Sequence, residues 1–392
     1  MKLAYFVHDL TDPAVARRVT MLKAGGAEPV VLGFRRSDTA PVTVAGAPAI
    51  DLGRTYDGRL GHRARMTLQA ALGAGRFRAH LARADVVMAR TLEMLAVAQA
   101  ARLAARADTR LVYECLDIHR MMLSPGLKGH AMRAVERALM RRANLLVVSS
   151  PAFLEHYFGP MQGVGGRLDL ATLLVENKAL ELGDARPVRG ASPPPGPPWR
   201  IGWLGAIRCQ KSLDILTDLA RRRPDLVEVA IHGRPAQVEF RDFDGQLEGA
   251  PGVRFGGAYT AADLPRLYGE VHFSWAIDFM EEGQNSAWLL PNRLYESSRY
   301  GAVPIALGGV QTGRYLAEHG FGIRLDDPAD LETALDGLTA RRYAALRRDV
   351  GRIPETAFVA READCRALVR ALAGGLIPQA AEGSPAMVKL VA

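Results

Sequence analysis

The sequence has few cysteines and no long apolar segment. Its 392 residues include three cysteines, Cys115, Cys209 and Cys365, an odd number at spacings that match no zinc motif. Scattered reduced thiols of this kind are typical of the cytoplasm. The apolar start at 3–7 is too short for the core of a signal peptide, and no apolar run approaches the roughly 20 residues of a membrane span. We therefore expect a cytoplasmic protein.

The motifs of several common nucleotide-binding classes are also absent. The dinucleotide fingerprint G-x-G-x-x-G does not occur, and neither does the P-loop G-x-x-x-x-G-K-[ST], which argues against a nicotinamide cofactor and against ATP. No helix-turn-helix, zinc-finger or RNP-type aromatic pattern is present, so we expect no nucleic-acid partner. An apolar fraction of 48% and a charged fraction of 23% are those of a globular protein.

Positive charge is concentrated in two N-terminal stretches. The net charge is +8, and the stretches 54–83 and 120–142 carry many arginines interspersed with Met, Leu and Phe. Basic helices with exposed apolar residues suit an anionic membrane surface, which we expect as a partner. The alternative is a solvated basic face above an ordinary core.

Short apolar runs alternate with longer helical patterns along the first half of the chain. Because these runs are apolar throughout rather than at alternate positions, they predict a parallel sheet covered on both faces. The segment 1–183 is therefore predicted to be a Rossmann-like domain. Its predicted strands are 2–7, 29–33, 85–89, 110–115, 144–148 and 172–176, and its predicted helices are 13–25, 63–82, 92–106, 128–142 and 151–157.

A break rich in proline and glycine at 184–199 predicts an interdomain linker. The alternation then restarts and predicts a second Rossmann-like domain at 200–354. A C-terminal helix at 355–375 that could pack back on the first domain and a tail at 376–392 follow. The predicted fold class is α/β, with two doubly wound domains that face a central cleft. The predicted strands of the second domain are 200–204, 227–232, 253–255, 271–275, 303–306 and 322–324, and its predicted helices lie near 211–222, 236–248, 261–269, 292–300, 311–319 and 328–339.

The segment 289–306 predicts a helix with a binding site at its start and a strand behind it. Asn292 can cap the helix, and the first-turn N–H groups with Arg293 beside them suit a diphosphate. Glu296 lies one turn further on, where a carboxylate can accept both hydroxyls of a ribose. The alternative is an ordinary helix–turn–strand unit.

A second candidate for phosphate binding opens the second domain. A strand leads into a glycine turn at Gly205 and then into a helix, which lets the backbone approach a phosphate closely. Arg208 or Lys211 would supply the compensating charge. The alternative is a glycine turn with only a structural role.

Three further polar segments have candidate roles. His8 and Asp9 follow the first strand, a position that faces ligands in this architecture; Asp9 as a turn residue is the alternative. The polar loop 278–286 precedes the helix predicted at 292–300 and is a candidate for ligand contacts, although its acidic residues could equally be solvated. The D-x-D sequence at 242–244 falls in a helical pattern, and we interpret it as a surface feature rather than a metal site.

The second-domain motifs resemble the donor half of GT-B glycosyltransferases. The resemblance lies in Gly205 followed six residues later by Lys211, and in the P-N-R-L-Y-E helix start at 291–296 with its following strand. The large retaining group of that superfamily has a second Glu eight residues before the ribose-binding Glu, whereas this chain has Trp288 there. This departure weighs against a retaining mechanism.

The first domain resembles one branch of these enzymes. The stretch 110–117 is similar to the strand of the inverting xanthan glucuronosyltransferase that ends in its catalytic Asp, and 7–13 and 148–152 resemble its N-terminal loop and a later strand end. The resemblance implies that Asp117 is the catalytic base, with His119 steering it or replacing it. With this resemblance we assign His8 and Asp9 to the acceptor side and expect the loop 278–286 to contact the transferred sugar. The alternative is that Asp117 only caps the following segment.

More broadly, both domains are similar to exopolysaccharide glycosyltransferases of the succinoglycan type. The resemblance implies a hexosyltransferase that is held peripherally at the inner membrane and moves a sugar from a nucleotide-sugar to a polyprenyl-diphosphate-linked saccharide. We expect the nucleotide-sugar to be UDP-linked. We expect no metal and no cofactor, because the cationic side chains can neutralise the diphosphate. A retaining GT-B transferase and a catalytically silent nucleotide-sugar sensor remain as alternatives.

Overall fold

The computed structural model describes residues 1–56, 58–184, 192–375 and 388–391. Parts of the predicted linker 184–199 and of the predicted tail 376–392 therefore lie outside the described residues. The chain divides into two compact units, one formed by Met1–Glu176 with Ala360–Ala392 and the other by Asn177–Val359.

The strands and helices alternate through most of the chain. In chain order the strands are β1 (Lys2–Val7), β2 (Glu28–Arg35), β3 (Thr43–Val44), β4 (Ala47–Arg54), β5 (Val86–Arg90), β6 (Arg110–Cys115), β7 (Leu145–Val148), β8 (Thr172–Val175), β9 (Ala179–Leu180), β10 (Trp199–Ile207), β11 (Val227–Pro235), β12 (Val253–Phe255), β13 (Phe273–Trp275), β14 (Val303–Leu307), β15 (Ile323–Leu325), β16 (Val359–Ala360) and β17 (Val388–Val391). The α-helices are α1 (Pro13–Ala24), α2 (Leu60–Leu72), α3 (Arg78–Leu81), α4 (Leu92–Ala105), α5 (Arg120–Leu123), α6 (Leu127–Met140), α7 (Pro151–Phe153), α8 (Gln210–Arg222), α9 (Phe243–Glu248), α10 (Leu264–Gly269), α11 (Asn285–Trp288), α12 (Asn292–Tyr300), α13 (Gln311–His319), α14 (Asp330–Asp336), α15 (Ala340–Arg352) and α16 (Glu362–Leu372).

Each unit is built on one sheet. In the described part of the first unit the strand order is β17-β8-β7-β6-β5-β1-β2-β4-β3, with only the two edge strands β17 and β3 antiparallel to their neighbours. The sheet of the second unit has the order β12-β11-β10-β13-β14-β15 and is parallel throughout. Both orders reverse direction within the sheet, as doubly wound folds do. The predicted α/β class with two doubly wound domains is confirmed.

Local sequence explains where the helices that flank the candidate sites begin and end. Asp12 caps α1, accepting from Ala14 N at 2.8 Å, and Pro13 occupies the first helical position. Helix α12 ends at Gly301, whose φ of +87° is the left-handed conformation that glycine adopts without strain. The cap at Asp12 therefore determines where α1 begins, and Gly301 determines where α12 ends.

Aromatic side chains fill the core of the second unit. Trp199, Trp203 and Trp275 are almost completely buried, and Trp199 contacts Phe273 and Tyr343 at ring-centroid distances of 5.9 and 5.3 Å. Aromatic contacts of this kind add to the free energy gained from burial alone. The strands that lead to the candidate donor-site residues therefore pack against a buried aromatic core.

Several predicted helices differ from the structure. The helix predicted at 63–82 ends as α2 at Leu72 and continues as a 3₁₀ turn and α3, because Gly73 interrupts it. The helix predicted at 236–248 is a 3₁₀ turn followed by α9, and the helix predicted at 261–269 is a 3₁₀ turn followed by α10. The helix predicted at 151–157 starts as α7 and continues as a π-helix to Gln162.

Candidate active site

The candidate donor site lies at the carboxyl ends of the second unit's parallel strands. Gly205 in β10 has φ of +119° and pairs with Gly233 of β11, whose φ is +150°. A Cβ atom on Gly233 would lie 1.9 Å from the carbonyl oxygen of Gly205, so a larger residue cannot fit without moving the strands. The glycine turn predicted at Gly205 therefore has a second glycine beside it, which sequence reasoning missed.

The start of α12 differs from the prediction in one respect. Its N-cap is Pro291, and no side chain caps the helix. Asn292, predicted to be the cap, is instead the first helical residue and is exposed. Pro291 precedes the helix with an extended backbone, so the boundary lies one residue earlier than the cap preference of Asn indicated. The first-turn amides of α12 remain uncapped by side chains, as an anion-binding helix start requires.

Arg293 and Arg208 converge on one carboxylate. Arg293 is buried, and its Nη2 donates to the carbonyl oxygen of Ile277 at 2.9 Å. The Oδ2 atom of Asp278 lies 3.9 Å from Arg293 Nη2 and 3.5 Å from Arg208 Nη2. Burial opposes ionisation of Asp278, but Arg293 and Arg208 outweigh it and lower the pKa of this carboxyl. The structure thus brings two of the predicted phosphate-binding cations together.

Lys211, in the first turn of α8, is held by two groups from the loop after β13. Its Nζ lies 2.7 and 2.8 Å from the two carboxylate oxygens of Glu282, and 4.4 Å from the centre of the Phe279 ring. The lysine and Glu282 are both about half exposed. The ammonium group is therefore directed toward the same loop that carries Asp278.

Glu296 lies beside two tyrosines. Burial, and then the charge of Glu296, raise the pKa of Tyr259, and the same two causes in the same order raise the pKa of Tyr268. Tyr259 is half-buried in the segment after β12, while Tyr268 is buried in α10. Tyr259 is a site candidate that sequence reasoning missed, because nothing in the sequence links that loop to α12.

Asp117 and His119 follow β6 in the first unit. Asp117 is exposed two residues after the strand ends. His119 is the N-cap of α5, and its Nδ1 accepts from Met121 N at 3.2 Å. Partial burial and the neighbouring Arg63 lower the pKa of His119, so its ring is neutral at pH 7. With Nδ1 accepting, the ring proton lies on Nε2, which makes His119 a hydrogen-bond donor at this site.

His8 and Asp9 have different surroundings. His8 Nε2 lies 3.3 Å from Oδ2 of Asp12, the capping residue of α1. Asp9 is buried, and its Oδ1 accepts from both the backbone and the hydroxyl of Thr11, at 2.9 and 2.7 Å. Arg36 Nε lies 3.5 Å from the other oxygen of Asp9. The geometry of Asp9 is that of a turn residue, which was the alternative interpretation, while His8 remains at the strand end.

A buried charge network lies directly behind this edge of the sheet. Glu114, the residue before the end of β6, is fully buried and pairs with Arg18 Nε at 2.6 Å and with Arg90 Nε at 2.7 Å. It also accepts a short hydrogen bond from Tyr5. Burial opposes ionisation, but Arg90 and Arg18 prevail and lower the pKa of Glu114 to about 2. Sequence reasoning missed this network because its members are far apart in the chain.

Backbone strain marks the neighbouring strand end. Thr91, immediately after β5, has φ of +78°, which is rare for a β-branched residue. Two residues later Glu93 pairs with Arg63 at 2.6 Å. Strained residues of this kind cluster at functional sites, where the surrounding structure holds them in place. The carboxyl edge of the first unit therefore carries signs of a site beyond Asp117 itself.

The D-x-D sequence has a local role. Asp242 is the N-cap of α9 and accepts from Gly245 N at 3.0 Å.

Within the described ranges, no three His, Cys, Asp or Glu side chains gather at a distance that would hold a metal ion. No helix in the described part of the chain is long and apolar enough to span a bilayer. The three cysteines are buried and unpaired with one another.

Solved structures of glycosyltransferases share this fold. HepE from Anabaena, solved in complex with UDP and glucose, matches with a TM-score of 0.66 and 17% identity, covering 96% of this chain and all of its own (100%). WaaG, a glycosyltransferase involved in lipopolysaccharide biosynthesis, matches with a TM-score of 0.62 and 13% identity over 95% of this chain and 100% of its own. The fold is therefore that of the GT-B glycosyltransferases.

Sequence comparison gives the family. A glycosyl transferase 4-like domain matches residues 12–170. The succinoglycan biosynthesis protein ExoL of Rhizobium meliloti (strain 1021) is 46% identical over 380 residues, which cover 95% of this chain and 93% of the relative. The chain belongs to the ExoL family of glycosyltransferases involved in exopolysaccharide biosynthesis, and it is an enzyme of that class.

Proposed function

We propose that the protein transfers a sugar from a UDP-sugar to a polyprenyl-diphosphate-linked saccharide, with inversion at the anomeric carbon. The observation that carries the donor half of this proposal is the grouping of Arg208, Lys211 and Arg293 around one loop, near the uncapped start of α12. Cations and helix N–H groups together are a suitable receptor for a diphosphate. The UDP in the HepE structure supports the choice of nucleotide, and the name of ExoL supports an exopolysaccharide product.

In this proposal the leaving group is stabilised by the second unit. The bond between the anomeric carbon and the diphosphate oxygen breaks, and the electron pair leaves with UDP. Arg293, Arg208 and Lys211 balance the charge that develops on that oxygen, so no metal ion is required. Glu296 accepts the ribose hydroxyls, and Tyr259 beside it provides an aromatic surface for the nucleoside. Gly205 provides close backbone access to the phosphates.

The first unit would activate the acceptor. The acceptor hydroxyl oxygen attacks the anomeric carbon and loses its proton to the carboxylate of Asp117. This role is supported by the exposure of Asp117 just beyond the carboxyl end of β6. His119, with its proton on Nε2, would orient the hydroxyl or the carboxylate rather than act as the base. His8 would contact the acceptor from the neighbouring strand end.

A lipid-linked acceptor requires access to the membrane surface. Helices α2 and α6 each combine exposed apolar side chains with exposed basic ones: Leu68, Leu72 and Leu127 are 59%, 79% and 90% exposed, and Arg65 and Lys128 are exposed as well. Such helices can bind an anionic bilayer by burying their apolar side chains among the headgroups. We propose peripheral attachment at the cytoplasmic face of the inner membrane.

The deciding experiment measures UDP binding and sugar transfer on the same variants. UDP binding is measured by calorimetry, and transfer by release of UDP from a panel of UDP-sugars with lipid-linked acceptor in membrane extracts. Asp117→Asn is expected to bind UDP as the wild type does but to lose about 10²–10⁴-fold in turnover, the usual contribution of a general base. Asp108→Asn, at an exposed carboxylate in the same unit, is the matched control.

Two results would contradict the proposal. If Asp117→Asn retained full turnover, Asp117 would not be the base. If the wild type bound UDP but transferred no sugar and hydrolysed no donor, the chain would be a nucleotide-sugar sensor instead.

A further inference from the structure

The cations assigned to the diphosphate are already paired with carboxylates of this chain. Asp278 lies between Arg208 and Arg293, and Glu282 holds Lys211 through both of its oxygens. Both carboxylates belong to the loop that follows β13. One loop therefore supplies negative charge to all three cations.

The two carboxylates are held very differently. The side chain of Asp278 is 13% exposed, and it accepts from the backbone N–H of Met280 at 2.9 Å. Glu282 is 57% exposed, and the next residue, Gly283, has φ of +74°, a conformation that allows a sharp turn. Asp278 is thus a fixed part of the site wall, whereas Glu282 can swing into solvent at little cost.

Lys211 has a second contact that does not depend on Glu282. Its ammonium group lies 4.4 Å from the ring centre of Phe279, within the range of a cation–π interaction. The lysine can therefore keep its position when its carboxylate partner leaves. A diphosphate carries more negative charge than one carboxylate and can replace Glu282 on the same ammonium group.

We infer that Glu282 is a resident counter-ion of the donor site, which occupies Lys211 in the empty enzyme and is displaced by the diphosphate. This inference rests on the proposed function and adds that Glu282 competes with the diphosphate for Lys211. Each nucleotide that binds must first separate the Lys211–Glu282 pair, which weakens its affinity. When UDP is the product, the return of Glu282 to Lys211 favours its release, a step that limits the turnover of many enzymes.

The test compares UDP affinity between variants that lose the same charge. Glu282→Gln is expected to bind UDP about two- to fivefold more tightly than the wild type, the range set by the strength of one exposed ion pair. Glu248→Gln, at an exposed carboxylate at the end of α9 in the same unit, removes an equal charge and is expected to leave the affinity within experimental error. Calorimetry at low and at physiological salt measures both, with thermal unfolding to verify that each variant is folded.

A double-variant cycle identifies the partner. In a Lys211→Met background, UDP binds more weakly and Glu282→Gln is expected to give no further change. A gain that persists without Lys211, an equal gain in Glu248→Gln, or weaker binding in Glu282→Gln would each overturn the inference while leaving the donor site in place. Failure of the wild type to bind UDP would instead overturn the proposed function, and this inference with it.

Discussion

Arg299 and Glu181 form a buried, bidentate ion pair in the second unit. Arg299 Nε lies 2.6 Å from one carboxylate oxygen of Glu181, and Nη2 lies 3.2 Å from the other. A third guanidinium nitrogen lies 3.1 Å from Glu355. Glu181 is near the start of the unit's chain segment and Glu355 near its end. One side chain at the end of α12 therefore holds both termini of the unit to the helix that begins at the candidate donor site.

Loss of this arginine should destabilise the second unit. Arg299→Met leaves Glu181, whose side chain is 7% exposed, as a buried charge without its main partner. We expect a loss of about 3–5 kcal/mol in the free energy of unfolding, typical of breaking a buried pair. The four tryptophans of the chain, at 199, 203, 275 and 288, all lie in this unit, so fluorescence during urea unfolding measures the effect.

A surface arginine is the control for that measurement. Arg352 is 75% exposed and pairs with Asp349 at 3.2 Å. Arg352→Met is expected to change the unfolding free energy by no more than about 0.5 kcal/mol. Equal effects of the two substitutions would show that the pair at Arg299 does not contribute through its burial.

The stability of the first unit should depend on acid through Glu114. Its pKa falls from an ordinary 4.5 to about 2 in the folded protein, because Arg90 and Arg18 outweigh burial. A lowered folded-state pKa contributes stability that is fully present above pH 4.5 and is lost as the pH falls toward about 2. Thermal unfolding followed by circular dichroism should therefore show a steep drop in Tm of the wild type across this window.

Glu114→Gln separates this contribution from general acid denaturation. At pH 7 the variant is expected to be less stable, because Arg18 and Arg90 keep buried charges without the carboxylate. Its Tm should fall less than that of the wild type between pH 4.5 and pH 2, so the two curves converge. Parallel curves would show that another group causes the acid sensitivity.

Much of the fold could be predicted from apolar periodicity. Strands such as β1 and β7 correspond to continuous apolar runs that are followed by helical patterns, and they were predicted. The short strands β3, β9 and β16 were not predicted, because two residues carry no periodicity. Strand β4 was missed because its residues form no continuous apolar run, and β17 lies in the segment predicted as a tail. The helix predicted at 63–82 breaks at Gly73. A glycine destabilises a helix interior, but tertiary packing can compensate for that loss of free energy, so the sequence alone does not show whether the helix continues.

The candidate sites were predictable to different degrees. Arg208, Lys211 and Arg293 were identified because each follows a strand end or begins a helix, and local sequence shows such positions. The loop 278–286 was also singled out, but its ion pairs with these cations were not predicted, because Asp278 and Glu282 approach them only after β10 and β13 have become neighbours in the sheet. Pairs that depend on the order of strands leave no local signal in one sequence.

Exposed leucines on the basic helices should govern binding to membranes. Leu68→Glu with Leu72→Glu places two charges where α2 would enter the headgroup region, and is expected to reduce binding to vesicles that contain anionic lipid about tenfold or more. Val238→Glu, at a side chain that is 91% exposed in the second unit, is the control and should bind normally. Vesicle co-sedimentation measures this. If the double variant sedimented like the wild type, α2 would not be the contact.

The stereochemistry of the product tests the assignment of a single catalytic carboxylate. A single displacement inverts the anomeric centre, and it needs one base on the acceptor side and a stabilised leaving group on the other. Position 288, where the resemblance to the retaining group would place a Glu, holds the indole of Trp288 at the end of α11, and an indole can neither act as a nucleophilic carboxylate nor carry negative charge. NMR of the product from an axially linked UDP-sugar should therefore show an equatorial glycosidic bond. An axial bond would mean that the reaction proceeds with retention, and Asp117 would then have to be reassigned from base to acceptor binding.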